Sequence, residues 1–196
     1  MFLNENILNS LMKKAYKTTG LRIAQLKEGW LIIAGGYWQV EVNKEFVPNK
    51  TLGNIISLVG ELPKLGERFR VTKDEKAEIT SDQLKEIDAR IFNEGSLTVT
   101  DTMQIGTRGT IQRFLQDEDT GNIFLVNNVY IDIVCKSLIN EDKGEYEPGE
   151  PTYNHIDGIL YQNNVCKLRA LFRNDIKNNK IMENIKGIDL IPEIMQ

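Results

Sequence analysis

Between residues 8 and 72 the apolar side chains change their spacing three times, which restricts the chain to a fold that mixes helices with strands. Leu8, Leu11, Met12 and Ala15 recur at i, i+3, i+4 and i+7, one stripe of an amphipathic helix. Asn4 stands where an N-cap accepts backbone protons, and Gly20 where a helix stops. Trp30-Leu-Ile-Ile-Ala34 is a strand by its bulky apolar content, and Gly35-Gly36 turns it back. Trp38, Val40 and Val42 then alternate with Gln39, Glu41 and Asn43, the period of a half-buried strand. Leu52, Ile55, Ile56 and Val59 return to helical spacing, entered through Val47-Pro48 and ended by Gly60 and Pro63. Glu67 to Thr72 alternates again as a strand.

The same order is expected a second time. Ser81 is placed to cap a helix carrying Leu84, Ile87 and Ile91. Leu97–Thr100 and Met103–Ile105 read as strand, and Thr110–Leu115 and Asn122–Val126 flank a hairpin loop at Asp117–Gly121. Asn127 or Asn128 opens a helix with Tyr130, Ile133, Val134 and Leu138 on one side. Asp157-Gly158 turns between extended runs, of which Val165 to Phe172 alternates as a sheet strand, and a short helix over 180–185 closes the chain. The expected fold class is therefore α+β, with two related helix-strand-helix-strand subdomains over 1–79 and 80–196, the second carrying a C-terminal extension.

Catalytic chemistry is thinly supplied. Two cysteines exclude a disulfide framework and a four-cysteine metal site, and Cys135 and Cys166 both read as buried structural thiols. The single histidine, His155, lies in a stretch rich in proline, glycine and acids. Glu147, Glu150, His155 and Asp157 could share a cation, but their spacing matches no regular ligand pattern and a solvated loop is the favoured reading. Gly35-Gly36 is followed by Tyr37-Trp38, so no phosphate-cradling loop forms. A non-enzyme without cofactor or metal is expected. No apolar run approaches the ~18 residues that span a bilayer, and the first residues lack the pattern of a secretory signal. A cytoplasmic protein without a membrane partner is the expectation.

Charge taken alone favours a plain solvated helix face. Asn6, Ser10, Lys13, Lys14 and Lys17 lie on the first helix away from its apolar stripe, and Lys13 and Lys17 are one turn apart. A net charge of -4 excludes a protein that coats nucleic acid with its whole surface, but leaves room for a locally basic face.

The repeated pattern resembles a subunit of the DNA sliding clamp (processivity factor) family. The residues that carry the resemblance are Glu28-Gly29-Trp-Leu-Ile-Ile33, Val47-Pro48, Leu62-Pro63-Lys-Leu-Gly66 and Phe69-Arg-Val71. In the second half, Val126 to Val134 resembles the second helix of a clamp subdomain, and Glu150-Pro151 through Phe172 its closing strands. The resemblance implies helices facing duplex DNA, sheets facing outward, and phosphate contacts without base reading. Lys13, Lys14, Lys17 and Lys50 are then the DNA-binding candidates, with Lys136 weaker because Asp132 lies one turn before it. Implied partners are duplex DNA, a polymerase or other replication protein, and further copies of the chain in a homo-oligomer. The abundance of Lys, Asn and Ile suggests a phage or mobile-element source. A competing reading is a phage-type interaction protein that binds or mimics a host replication or defence component. Trp30, Tyr37 and Trp38 would then be partner anchors, although core packing is the favoured role for the two tryptophans.

Overall fold

The protein was analysed as a computed structural model that describes residues 1–106, 109–173, 181, 183–185 and 187–191. The Asn4 side chain accepts the N–H groups of Asn6 at 3.0 Å and Ile7 at 3.3 Å. These donors have no partner within a helix, so the contact starts α1 (Glu5–Lys17) where the sequence places it. Gly20, at φ 90, stops it by turning its N–H back onto the Ala15 carbonyl at 2.8 Å. There follow β1 (Leu21–Ala24), β2 (Trp30–Ala34), β3 (Trp38–Asn43), α2 (Asn49–Val59), β4 (Arg68–Val71) and β5 (Lys76–Glu78). The apolar face of α2 is rotated from the expected stripe. Thr51, Ile55 and Val59 are buried, and Ile56 is 44 % exposed.

Beyond residue 79 come β6 (Thr98–Ile105), β7 (Ile111–Gln116) and β8 (Ile123–Asn127), a three-stranded antiparallel sheet. A four-residue helix, α3 (Val129–Asp132), leads on to β9 (Thr152–Asn154), β10 (Gly158–Gln162) and β11 (Cys166–Ala170). The last three strands join the first five in one antiparallel sheet, ordered β5-β4-β1-β2-β3-β11-β10-β9. At the seam, Val42 faces Cys166, Val40 faces Leu168 and Trp38 faces Ala170. One apolar core joins Leu8, Met12, Ile33, Val40 and Ile55 to Leu115, Val126, Ile159 and Leu168. The fold is α+β, with the segments 1–79 and 80–196 contributing strands to one sheet and side chains to one core.

Of two helices expected in the second segment, the one opened at Asn128 is cut to the four residues of α3 and the one capped by Ser81 does not form. After α3 the N-terminal residues take the backbone groups that a longer helix needs. Asn4 donates its N–H to the Ile133 carbonyl at 2.8 Å, and Phe2 accepts from the Cys135 N–H at 2.7 Å. The chain continues as a short 3-10 turn, Lys136–Leu138. Residues 80–88 likewise form no helix, and a 3-10 turn appears at Ala89–Ile91. Their carbonyls are held instead by side chains of the eight-stranded sheet. Arg22 donates to Gln83 O at 3.1 Å, Arg68 to Leu84 O at 3.3 Å and Gln39 to Lys85 O at 2.7 Å. Gln83 donates its N–H to the Thr80 carbonyl at 3.1 Å in a turn, and Leu84 and Ile87 beyond it are both buried against the sheet. Part of the terminal helix expected over 180–185, including Lys180 and Met182, lies outside the described residues.

The sheet therefore has two unlike faces. Leu21, Ile23, Ile33, Val40 and Leu168 point into the core beneath α1 and α2. Ala24, Ile32 and Ala34 point the other way and carry Leu84, while Leu160 carries Ile87 and Phe92.

Candidate nucleic-acid interface

The apolar stripes of α1 and α2 press both helices onto the same side of the sheet, where polar side chains join them. Asn54 donates to Asn9 at 3.2 Å, and Lys50 Nζ donates to Asn6 Oδ1 at 2.8 Å. An open groove of about 670 Å³ runs between these helices. It is lined by Asn6, Asn9, Ser10, Lys13, Lys14, Lys17, Thr18, Lys50 and Asn54. Four of the five lysines expected to contact DNA are thus brought together, although Lys50 is more than 30 positions from the others.

Their electrostatic settings differ. Lys13, Lys14 and Lys17 are exposed, and no carboxylate pairs with them among the described residues. Lys50 lies 3.4 Å from Glu5 Oε1, so part of its charge is already answered. Lys14 and Lys17 also sit in the last turn of α1, where the helix dipole favours cations. The result is a compact positive surface on a chain with 28 acidic against 24 basic residues.

Lys136 stands elsewhere. It borders a separate hollow with Thr98, Val99, Glu118 and Tyr161, and it is paired with Glu147 at 3.0 Å and Glu150 at 3.8 Å. The expected pairing with Asp132 is replaced, because Asp132 accepts from the Asn128 side chain at 2.7 Å. With two carboxylates on its ammonium, Lys136 has little charge to offer a phosphate.

The alternative cation site is dispersed. Glu147 and Glu150 bind Lys136, Asp157 lies 3.4 Å from Arg169, and His155 Nδ1 pairs with Glu94. Hydrogen bonding to His155 holds the Glu94 carboxyl below its usual range. No group of three or more His, Cys, Asp or Glu suited to a metal occurs among the described residues. Of the two thiols, Cys166 is fully buried and its pKa is pushed far up by desolvation. Cys135 is half-buried, contrary to expectation, and lies 3.3 Å from the Ser137 hydroxyl. Trp38 belongs to the core, Trp30 is half-buried beneath the Lys27 ammonium, and Tyr37 is exposed.

Sequence periodicity missed Asn9, Thr18 and Asn54 as groove residues. Asn9 lies next to the apolar Leu8, and nothing local tells that α2 closes over it. A signal was present in the four-residue spacing of Lys50 and Asn54, which puts both on one side of α2.

No family model matches the sequence, and no curated protein matches it. Among solved structures, the chain is similar to the β subunit of DNA polymerase from Streptococcus pyogenes, with 11% identity and a TM-score of 0.35. That alignment covers 91% of this chain and 66% of the other. It is also similar to the DNA polymerase III β subunit of Thermotoga maritima, at 10% identity and a TM-score of 0.39, over 87% of this chain and 62% of that one. A third similar structure is the DNA polymerase III β chain of Streptococcus pneumoniae TIGR4, at 11% identity and a TM-score of 0.35, over 88% and 64% of the two chains. The chain spans 62% to 66% of the length of these proteins.

Proposed function

We propose that the α1–α2 face binds duplex DNA without sequence preference, and that the protein is a non-enzymatic, sliding-clamp-like processivity or scaffold factor. The observation that carries this reading is the convergence of Lys13, Lys14, Lys17 and Lys50 on one groove of an otherwise acidic chain. Ammonium groups on flexible stems neutralise phosphates as point charges and read no base edge, which suits a protein that moves along the duplex. The Asn, Ser and Thr side chains between them can donate to phosphate oxygens. The lining offers no aromatic face on which unpaired bases could stack, which favours the duplex over single strands. Acidic surface elsewhere repels DNA and steers it to the helices.

Three or four lysines hold a duplex weakly, so the reading requires several copies of the chain around one duplex. A polymerase or other replication protein is the partner that such a ring would tether. The test is DNA affinity as a function of salt. With three to four phosphates neutralised per chain, log K against log salt should fall with a slope of about −3 for each chain bound. Replacing Lys13, Lys14 and Lys17 by alanine should weaken binding equally on all sequences and bring the slope to about −1. An unchanged slope refutes the assignment. Light scattering that finds a monomer both with and without DNA refutes the clamp.

A further inference from the structure

Arg22 and Arg70 stand directly opposite each other on β1 and β4. Side chains so placed start only ~5 Å apart, and like charges there repel. Arg169 lies in the same cross-strand row, reached from Arg22 through Ala34 and Gln39. Burial first, and then the charges of Arg169 and Arg70, hold the Arg22 guanidinium below its usual pKa. Asp157 answers Arg169 at 3.4 Å, but no carboxylate pairs with Arg22 or Arg70 among the described residues. A half-buried cation with cationic neighbours and no counter-ion is costly, because burial of charge is ordinarily offset by a partner of opposite sign.

Backbone carbonyls aim both arginines at one corner of the fold. Arg22 donates to Gly35 O and, at 3.1 Å, to Gln83 O. Arg70 donates to Thr19 O from Nε at 3.4 Å and from Nη2 at 3.1 Å. The turn between α1 and β1 touches the hairpin between β2 and β3, since a Cβ on Gly36 would lie 3.3 Å from Thr19 Cγ2. Each guanidinium uses only two of its donors in these bonds and has others to spare. Thr19 adds a hydroxyl with no partner among the described residues, and Thr19, Gly36 and Arg70 are all exposed.

We propose that Arg22, Arg70 and the Thr19 hydroxyl form a binding site for a phosphate group. Planar guanidinium forks match pairs of oxygens on a tetrahedral oxyanion, and the anion turns the repulsion between the arginines into attraction. A phosphate presents oxygens in several directions, so it can meet two forks and a hydroxyl at once, whereas a carboxylate presents two in one plane. The phosphate is either free in solution or part of a nucleic-acid backbone lying in the lysine groove, which Thr18 lines next to Thr19. The site is built on strands and a turn, so it stands without the lysines of α1.

Calorimetric titration with inorganic phosphate, at an ionic strength held constant with chloride, tests the free source. The unaltered chain should bind phosphate saturably, and Arg70→Gln should bind it about tenfold or more weakly through loss of charge-assisted hydrogen bonds. Thr19→Val, which removes only the hydroxyl, should weaken it less. The chain with Lys13, Lys14 and Lys17 replaced by alanine should bind phosphate as the unaltered chain does, which separates this site from the groove. If the phosphate belongs to nucleic acid, inorganic phosphate does not bind, and Arg70→Gln instead lowers the salt slope for a duplex oligonucleotide by about one. The proposal is overturned if Arg70→Gln alters neither titration. It is overturned equally if phosphate binding disappears with the three lysines and persists in Arg70→Gln.

Discussion

Glu41 allows a prediction whose sign is fixed by geometry. Its side chain is 6 % exposed, with one oxygen on the Ile87 N–H and the other 3.1 Å from Lys167 Nζ. Burial raises its pKa above the ordinary 4.5, and the Ile87 N–H and Lys167 pull it only part of the way back. The folded state therefore keeps this proton to a higher pH than the unfolded chain does. Where the folded state binds more protons, stability falls as pH rises, here from about 4.5 upward through the raised value. Glu41→Gln keeps an acceptor for Ile87 and removes the titration. The lost partner of Lys167 costs less than the 3–5 kcal/mol of a fully buried pair, roughly 1 kcal/mol, because that side chain is 26 % exposed and still bonds to Ile87 O. Relief of the buried carboxylate offsets this, so the neutral-pH change should lie within about 1 kcal/mol of zero. Glu41→Ala removes the acceptor as well and leaves a buried N–H without a partner, an added loss of about 1–3 kcal/mol.

Urea unfolding followed by the fluorescence of Trp38, buried in the core, and Trp30, half-buried, measures all three proteins across the acidic-to-neutral range. The stability of Glu41→Gln minus that of the unaltered chain should increase with pH and then level off. A flat or declining difference would show that Lys167 and Ile87 outweigh desolvation, and the account of this buried pair would be wrong.

Two substitutions test the fold itself. Asn4→Ala strips two N–H groups of their acceptor at the start of α1 and should cost about 1 kcal/mol, read as a lower urea midpoint at constant slope. Gly158→Ala sets a Cβ 2.0 Å from the Ala170 carbonyl at φ +88, so it should cost upwards of about 4 kcal/mol or abolish folding. A Gly158→Ala protein with an unaltered midpoint would refute the β10–β11 register.

The legible parts of the sequence are those governed by local physics. Asn4, Gly20 and the stripe of Leu8, Leu11, Met12 and Ala15 define α1 without outside help, and Trp30–Ala34 is recognised as β2 residue for residue. The lysines of α1 were recognisable by the same periodicity. What could not be read is what distant residues impose. Leu84, Ile87 and Ile91 have helical spacing, yet arginine, glutamine and lysine side chains from β1, β3, β4 and β11 claim the backbone that a helix would use. Residues 133–135 lose their helix to Phe2 and Asn4, about 130 positions away in sequence. Lys136 was assigned the nearest acid in sequence, Asp132, while the loop at Glu147 and Glu150 folds onto it instead.

The seam between β3 and β11 constrains how the repeated order can work. Five register pairs join the segments there, and Val40, Val42, Cys166 and Leu168 are fully buried along it. Strands paired in this way cannot separate without opening the core, so the two segments share one sheet. The segments are also unequal as surfaces. The first provides helices of 13 and 11 residues whose polar sides converge on the lysine groove, whereas α3 of the second has four residues and Lys136 is already paired with two acids. Among the described residues, the converging lysines all belong to the first segment. If the protein surrounds DNA, contact around the duplex has to come from the same α1–α2 face repeated on other copies. It follows that the salt slope should grow with the number of chains bound, in steps of about three.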